Sequence, residues 1–335
     1  LAGDVVANLV DGTLTLEGDD LANKIVITSG AEAGAFVVTG LDGTTVHLEG
    51  EAGASVLNVS GVRNIKVELG GEADLAAVVG ANVRGNLSID SGAGNDRVLV
   101  GTGGDAAELV GQLPADLSVE IRGKLRIDGA AGDDEIAVDD SVLSRLNIEA
   151  GLDNDVVSLG SDAALEAGQD ARVQVRGGVH VNLGAGNDEL TADQVNSRHV
   201  LLVRAGTGDN SIDLSRTNTG VLGVHADGGI DTVTLAEIDA HILGLHAGDG
   251  SDVVDIHDSV FSKLGVSLGE GDDSLAVANV EARLGLMLGG GGEDTLDLSG
   301  VNNIVHEIIH GFEIPPDINT PPFRRLVGRL LGRLR

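Results

Sequence analysis

The stretches LGVHADGGIDTVTLAEIDAHI (222–242), LGLHAGDGSDVVDIHDSVFSK (243–263), LGVSLGEGDDSLAVANVEAR (264–283) and LGLMLGGGGEDTLDLSGVNN (284–303) are four copies of one unit set end to end. Self-similarity at a short fixed period marks a repeat array, in which each unit packs only on its neighbours. The unit recurs upstream as LSIDSGAGNDRVLV from 87, LRIDGAAGDDEIAV from 125, LNIEAGLDNDVVSL from 146 and VHVNLGAGNDELTA from 179. One turn residue per copy serves as a ruler: Asp96, Asp134, Asp155, Asp188, Asn210, Asp231, Asp252, Asp273 and Asp294. From Asn210 onward the spacing is 21 residues, and two earlier gaps of 38 and 33 coincide with related insertions at 104–124 and 161–178.

Within each copy the apolar residues alternate. Two and four residues after the turn come Val98/Val100, Ile136/Val138, Ile212/Leu214, Val233/Leu235, Val254/Ile256, Leu275/Val277 and Leu296/Leu298. Before it come Leu87/Ile89, Leu125/Ile127, Leu222/Val224, Leu243/Leu245 and Leu284/Leu286. A period of two is that of strands with one buried face, whereas a helix needs spacings of three and four. A strand, a Gly-rich corner, a second strand and a weaker third stretch such as AEIDAHI complete one circuit. The sequence therefore predicts an all-β, parallel β-helix (β-solenoid), right-handed by the chirality of parallel crossovers, with coils about 4.8 Å apart. Three units are expected. Residues 1–86 form an N-terminal cap and irregular first coils, 87–313 the repeats with their insertions, and 314–335 a Pro-rich linker and basic tail.

Composition agrees. Among 335 residues there are 51 glycines, four Phe, no Trp and no Tyr, so the core is built from Val, Leu, Ile and Ala, which suits a narrow interior of repeating layers. The net charge of −32 argues against nucleic acid as partner, since phosphate binding needs clustered Lys and Arg. Cysteine is absent, so neither disulfides nor thiolate metal sites are available. No apolar run is long enough to span a bilayer as a helix. A chain starting at Leu1 fits removal of a leader and, with it, a secreted or cell-surface location.

The turns GAGND (92–96), GAAGDD (129–134), GAGND (184–188), GDGSD (248–252) and GEGDD (269–273) resemble the hemolysin-type, or RTX, calcium-binding repeat, G-G-x-G-x-D-x-U-x with U a large apolar residue. The likeness covers most of 87–298, although this chain has one acidic corner per long coil where that family has two. The resemblance implies a secreted bacterial β-solenoid with calcium held between adjacent corners. Physical chemistry points the same way: a hard cation takes carboxylate and carbonyl oxygens, and acids stacked about 4.8 Å apart repel unless neutralised. The expected ligands are Asp96, Asp133, Asp134, Asp155, Asp188, Asp209, Asp231, Asp252, Asp273 and Asp294. The plainer alternative is that Asp, Asn and Gly make good turns and the acids are solvated.

Other motifs carry less. His306-Glu-Ile-Ile-His310 has the form of a zinc-protease motif, but its flanks alternate. On a strand the two histidines stand roughly 13 Å apart, too far to share a metal. His225 and His246 occupy matching positions and form an expected exposed ladder. Gly-x-Gly triplets lack the following helix and the Lys of a phosphate loop. Arg122, Arg172 and Arg176 in the insertions offer a groove for a polysaccharide lyase or hydrolase, against which stands the lack of Trp and Tyr for sugar stacking. The tail 323–335 interleaves five arginines with Leu and Val, as for a short basic amphipathic helix on an anionic surface. Together these readings describe a non-enzymatic, calcium-stabilised structural or adhesive protein of the cell envelope or extracellular matrix, able to self-associate. A carbohydrate-active β-helix enzyme and a metal-free scaffold are the alternatives.

Overall fold

A computed structural model describes residues 3–102, 114, 116–160 and 172–313. Most of both insertions and the whole of 314–335 lie outside the described residues, and with them the expected linker and basic tail.

Every regular element among the described residues is a β-strand. From Asn64 onward the coils stack in parallel, and equivalent residues pair one coil apart: Thr232 with Val253, Val253 with Ser274, Ser274 with Thr295. The strands form two sheets, of 16 and 13 strands, which face each other across the core. Alternation places Leu222, Val224, Leu243, Leu245, Leu264 and Val266 inside from one sheet. Ile212, Leu214, Val233, Leu235, Val254 and Ile256 enter from the other. These columns of like residues are the parallel β-solenoid that the repeat predicts.

The weak third stretch of each circuit belongs to the larger sheet. In some coils it is a separate strand, as in Ala81–Val83 before Leu87–Asp90 and Val173–Val175 before Val179–Ala185. Elsewhere it runs on through a bend into the next strand, as in Val119–Ala131, where the pairing register shifts between Ile121 and Lys124. Each coil thus has two kinds of corner that matter here: the Gly/Asp turn, and this bend on the larger sheet. The ends of both insertions supply coil wall at the bend, through Val119–Ile121 and Val173–Val175.

The first 60 residues depart from the pattern. Asp4–Val10 pairs antiparallel with Thr13–Glu17, and Lys24–Ser29 with Phe36–Gly40. Antiparallel pairing at the start of the stack covers an edge that would otherwise be open to other chains.

One core assignment from the sequence is corrected. Leu284 and Leu286 were expected inside, by analogy with Leu243/Leu245. Instead Leu264 pairs with Gly285 and Val266 with Met287, so Gly285 and Met287 face inward. Leu284 and Leu286 are 42% and 38% exposed. The copy beginning at 284 follows its predecessor after 20 residues, but the corner acids Asp273 and Asp294 hold the coil at 21. A one-residue slip between motif and register sends each side chain to the opposite face.

Candidate functional site: the aspartate corner

The Gly/Asp corner is built by two columns of residues with left-handed backbone, four and two positions before the Asp. At the Asp252 corner these are Gly248 (φ 118°) and Gly250 (φ 151°). A Cβ on Gly250 would lie 1.6 Å from the carbonyl oxygen of Gly229 in the previous coil. Close backbone stacking and positive φ together dictate G-x-G-x-D, independently of any ligand. Where one column holds Ala130, Asp153 or Asp227, the other holds Gly132, Gly151 or Gly229.

The Asp that follows points inward. Asp96, Asp134, Asp155, Asp188, Asp231, Asp252, Asp273 and Asp294 are all at most 3% exposed. Each accepts, through Oδ1, a hydrogen bond from the backbone N–H of the equivalent residue one coil earlier. Asp96 donates to Asp134 at 2.8 Å, Asp134 to Asp155 at 2.9 Å, Asp155 to Asp188 at 2.8 Å, and Asp252 to Asp273 at 2.8 Å. The bond outlasts the longer gaps of 38 and 33 residues, so both insertions leave the corner intact.

The ladder is longer than the sequence reading made it. Asp74 is a further rung, 22 residues before Asp96 and equally buried; its N–H donates to Asp96 and its Oδ1 accepts from Asn23. The stretch GGEAD (70–74) carries the signal, weakened by Glu72 in the second glycine column. At the far end the Glu313 carboxylate accepts from the N–H of Asp294 at 2.5 Å, taking the place of the next coil's Asp. Nothing in the sequence around Glu313 repeats the motif, so only the fold reveals this role.

Asp133 and Asp209 belong to a different row. Both are exposed, one position before the inner rung, and their bonds run the other way: Asp133 Oδ1 accepts from the N–H of Asn154 at 2.9 Å, one coil later, and Asp209 Oδ1 from Ile230 at 2.8 Å. Asn95, Asn154, Asn187 and Asp272 extend this outer row. Each corner is thus tied upward by one row and downward by the other. The ten predicted ligands divide into eight buried and two exposed groups; solvated turn acids describe only the second.

The inner rungs hold an unbalanced oxygen. Oδ2 of Asp74, Asp96, Asp134, Asp155, Asp188, Asp231, Asp252, Asp273 and Asp294 is buried with no hydrogen-bond partner. Asn210, the amide among the repeat rungs, shows what the position wants, as does Asn23 below Asp74, whose Nδ2 donates to the carbonyl of Leu21. Oδ1 of Asn210 accepts from Asp188 at 3.0 Å as the carboxylates do, but its Nδ2 donates to the carbonyl of Gly208 at 2.9 Å. In the aspartate rungs an acceptor replaces that donor. Burial accordingly pushes the acids up: Asp134 to about 8, Asp74 and Asp155 to about 7, and Asp231 to about 6. Loss of hydration is the main cause, partly offset by the backbone N–H bond, with neighbouring carboxylates adding to the rise. Asp96, Asp188, Asp252 and Asp273 are raised for the same first reason.

The remaining candidates sit elsewhere. His225 and His246 are register partners on the outer face of the larger sheet, their rings edge-on with centroids 6.5 Å apart. His306 and His310 lie on the strand Asn303–His310. Arg172 is buried and bonded to Asp140, whereas Arg122 and Arg176 are exposed at the bend of the larger sheet. Among the described residues no three His, Asp or Glu side chains converge as a metal site, so a cation at the corner would draw its other oxygens from backbone carbonyls and water. No protein-family model, no curated protein and no solved structure matches the chain, so the likeness to hemolysin-type repeats rests on the turn residues alone.

Proposed function

We propose that this β-solenoid is an extracellular structural or adhesive rod whose aspartate corner takes calcium. The supporting observation is the column of nine buried Oδ2 atoms, each lacking a partner, one per coil except at Asn210. A hard divalent cation satisfies such oxygens and neutralises the stacked charge at once. Asp96, Asp134, Asp155, Asp188, Asp231, Asp252, Asp273 and Asp294 would hold it through Oδ2, with corner carbonyls beside them. Asp133 and Asp209, bonded to backbone in the outer row, fit a secondary part. At the bend Glu120 is held by Asn82 at 2.7 Å and Arg122 at 3.5 Å, which suits an acid with a scaffold role.

A second reading is favoured by Asn210, whose amide shows that a single donor completes a rung. On that reading the ladder carries protons in place of metal, and the protein is a metal-free scaffold. Thermal unfolding at pH 7.5 separates the two. If calcium binds, millimolar calcium raises the melting temperature of EDTA-treated protein well above the effect of equal magnesium, through linkage of binding to folding. Equal, small shifts with the two ions overturn the calcium reading and leave the proton ladder.

A further inference from the structure

The bend of the larger sheet carries a second column, opposite in sign to the corner. Its residues are exposed and fall on successive coils: Arg63, Arg84, Arg122, Arg145, Arg176 and Arg198. The register fixes the stacking. Val83 pairs with Ile121, Ile121 with Leu143, Leu143 with Val175 and Val175 with Ser197, which places Arg84, Arg122, Ser144, Arg176 and Arg198 in one line. Arg145 follows Ser144 and pairs with Lys124, which adds a further cation. At the start of the column Arg63, Arg84 and Arg122 line one groove together with Gly34, Gly61 and Val62.

Most cations of the column lack an acid partner among the described residues. Elsewhere on the described body Lys24, Lys66, Arg97, Arg126, Arg172 and Arg216 each hold an acid, while Arg204, Lys263 and Arg283 hold none. Among the described residues, Arg122 alone in the column has an ion pair, with Glu120 at 3.5 Å. With 53 acids against 21 bases in the chain, cations left unpaired in line on one edge form a local positive strip on a negative rod. Coils about 4.8 Å apart put Arg84 beside Arg122 and Arg176 beside Arg198 in that line, with Ser144 between the two pairs and Arg63 and Arg145 each one position to the side. The cations are chiefly arginine, whose planar fork matches carboxylates in a bidentate way.

We propose that this arginine column is a binding edge for a linear acidic polysaccharide with one carboxylate per sugar. A uronic-acid polymer is an extended chain with one carboxylate per sugar and a sugar rise of the same order as the coil rise, so one straight chain laid along the column brings carboxylates within reach of several arginines. Nucleic acid fits poorly, because the column has no aromatic side chain on which bases could stack and the surrounding body repels polyphosphate. A second copy of this chain fits less well too: its outer acidic row is interrupted by Asn95, Asn154, Asn187 and Ile230, so it offers no charge at several rungs. The inference uses the bend, not the aspartate corner, and stands or falls independently of calcium.

The test is calorimetric titration of the full chain, in EDTA and low salt, with polygalacturonate oligosaccharides, neutral dextran of equal length and a single-stranded DNA oligomer. The expected result is binding of polygalacturonate alone, weakening steeply with added salt. The triple variant Arg84→Gln/Arg122→Gln/Arg176→Gln should weaken it at least tenfold with an unchanged melting temperature, and Arg204→Gln on the sheet face should leave it intact. Absence of polygalacturonate binding, equal binding of DNA, or full binding by the triple variant overturns the proposal. So does sedimentation showing that the column instead joins copies of the chain, with association lost in the triple variant and no uronate bound.

Discussion

The backbone N–H of Asp231 donates to Oδ1 of Asp252, 2.8 Å away in the next coil, while Oδ2 of Asp252 is buried with no partner. One carboxylate thus does two opposed things: it satisfies a buried donor and strands a buried acceptor. Substitutions at this residue separate the two effects. Asp252→Asn keeps the accepting oxygen and supplies a donor, as Asn210 does naturally. In EDTA at pH 8 it should stabilise by about 1–3 kcal/mol, raising the melting temperature by a few degrees. The gain should shrink as pH falls and the Asp252 carboxyl, raised by burial, takes up its proton.

Asp231→Ala removes the acceptor for the N–H of Asn210 and should cost about 1–3 kcal/mol, because a buried donor is left unmade. Asp209→Ala removes an equivalent bond to Ile230, but in the exposed outer row where water replaces it. Its cost should stay below about 1 kcal/mol. Urea unfolding of the two variants side by side checks the division into inner and outer rows.

The pH profile follows from the sign of the shifts. The inner acids have folded pKa values above that of a free Asp, so the folded state binds more protons than the unfolded state. Their contribution is fully present below about pH 4 and is lost as pH rises through the raised values, between about 6 and 8. In EDTA the melting temperature should therefore fall from pH 5 to pH 9, and calcium, if it binds, should flatten that fall. A melting temperature that rises over this range contradicts the buried, raised-pKa ladder.

Two glycines test the backbone argument. Gly250→Ala forces a Cβ into the Gly229 carbonyl at φ 151°, and should cost about 3 kcal/mol or more. Gly244 faces open space from an ordinary strand conformation, and Gly244→Ala should change stability by less than about 0.5 kcal/mol. Circular dichroism melts of both variants give the comparison directly.

The repeat, the strands and the inward columns were legible in the chain because a period of two and a ruler of 21 residues are local properties. Leu243/Leu245 and Val254/Ile256 could be placed inside from spacing alone. The corner glycines were legible too, since positive φ leaves few residues to choose from. Leu284/Leu286 misled because a motif can slip by one residue while the hydrogen-bonded register cannot. Asp74 was obscured by Glu72, and Glu313 carries no repeat signature at all.

What the sequence by itself determined was the architecture: alternation and repetition leave a parallel solenoid as the way to bury these residues. Which way each acid faces was decided by tertiary structure. Asp133 and Asp134 are neighbours of the same type, yet one is bonded outward to the next coil and the other inward to the previous one. The arginine column likewise joins residues 63, 84, 122, 176 and 198, whose irregular spacing conceals a common edge. Only stacking converts such separations into contacts about 4.8 Å apart, because insertions change distance along the chain and leave the rise between coils the same.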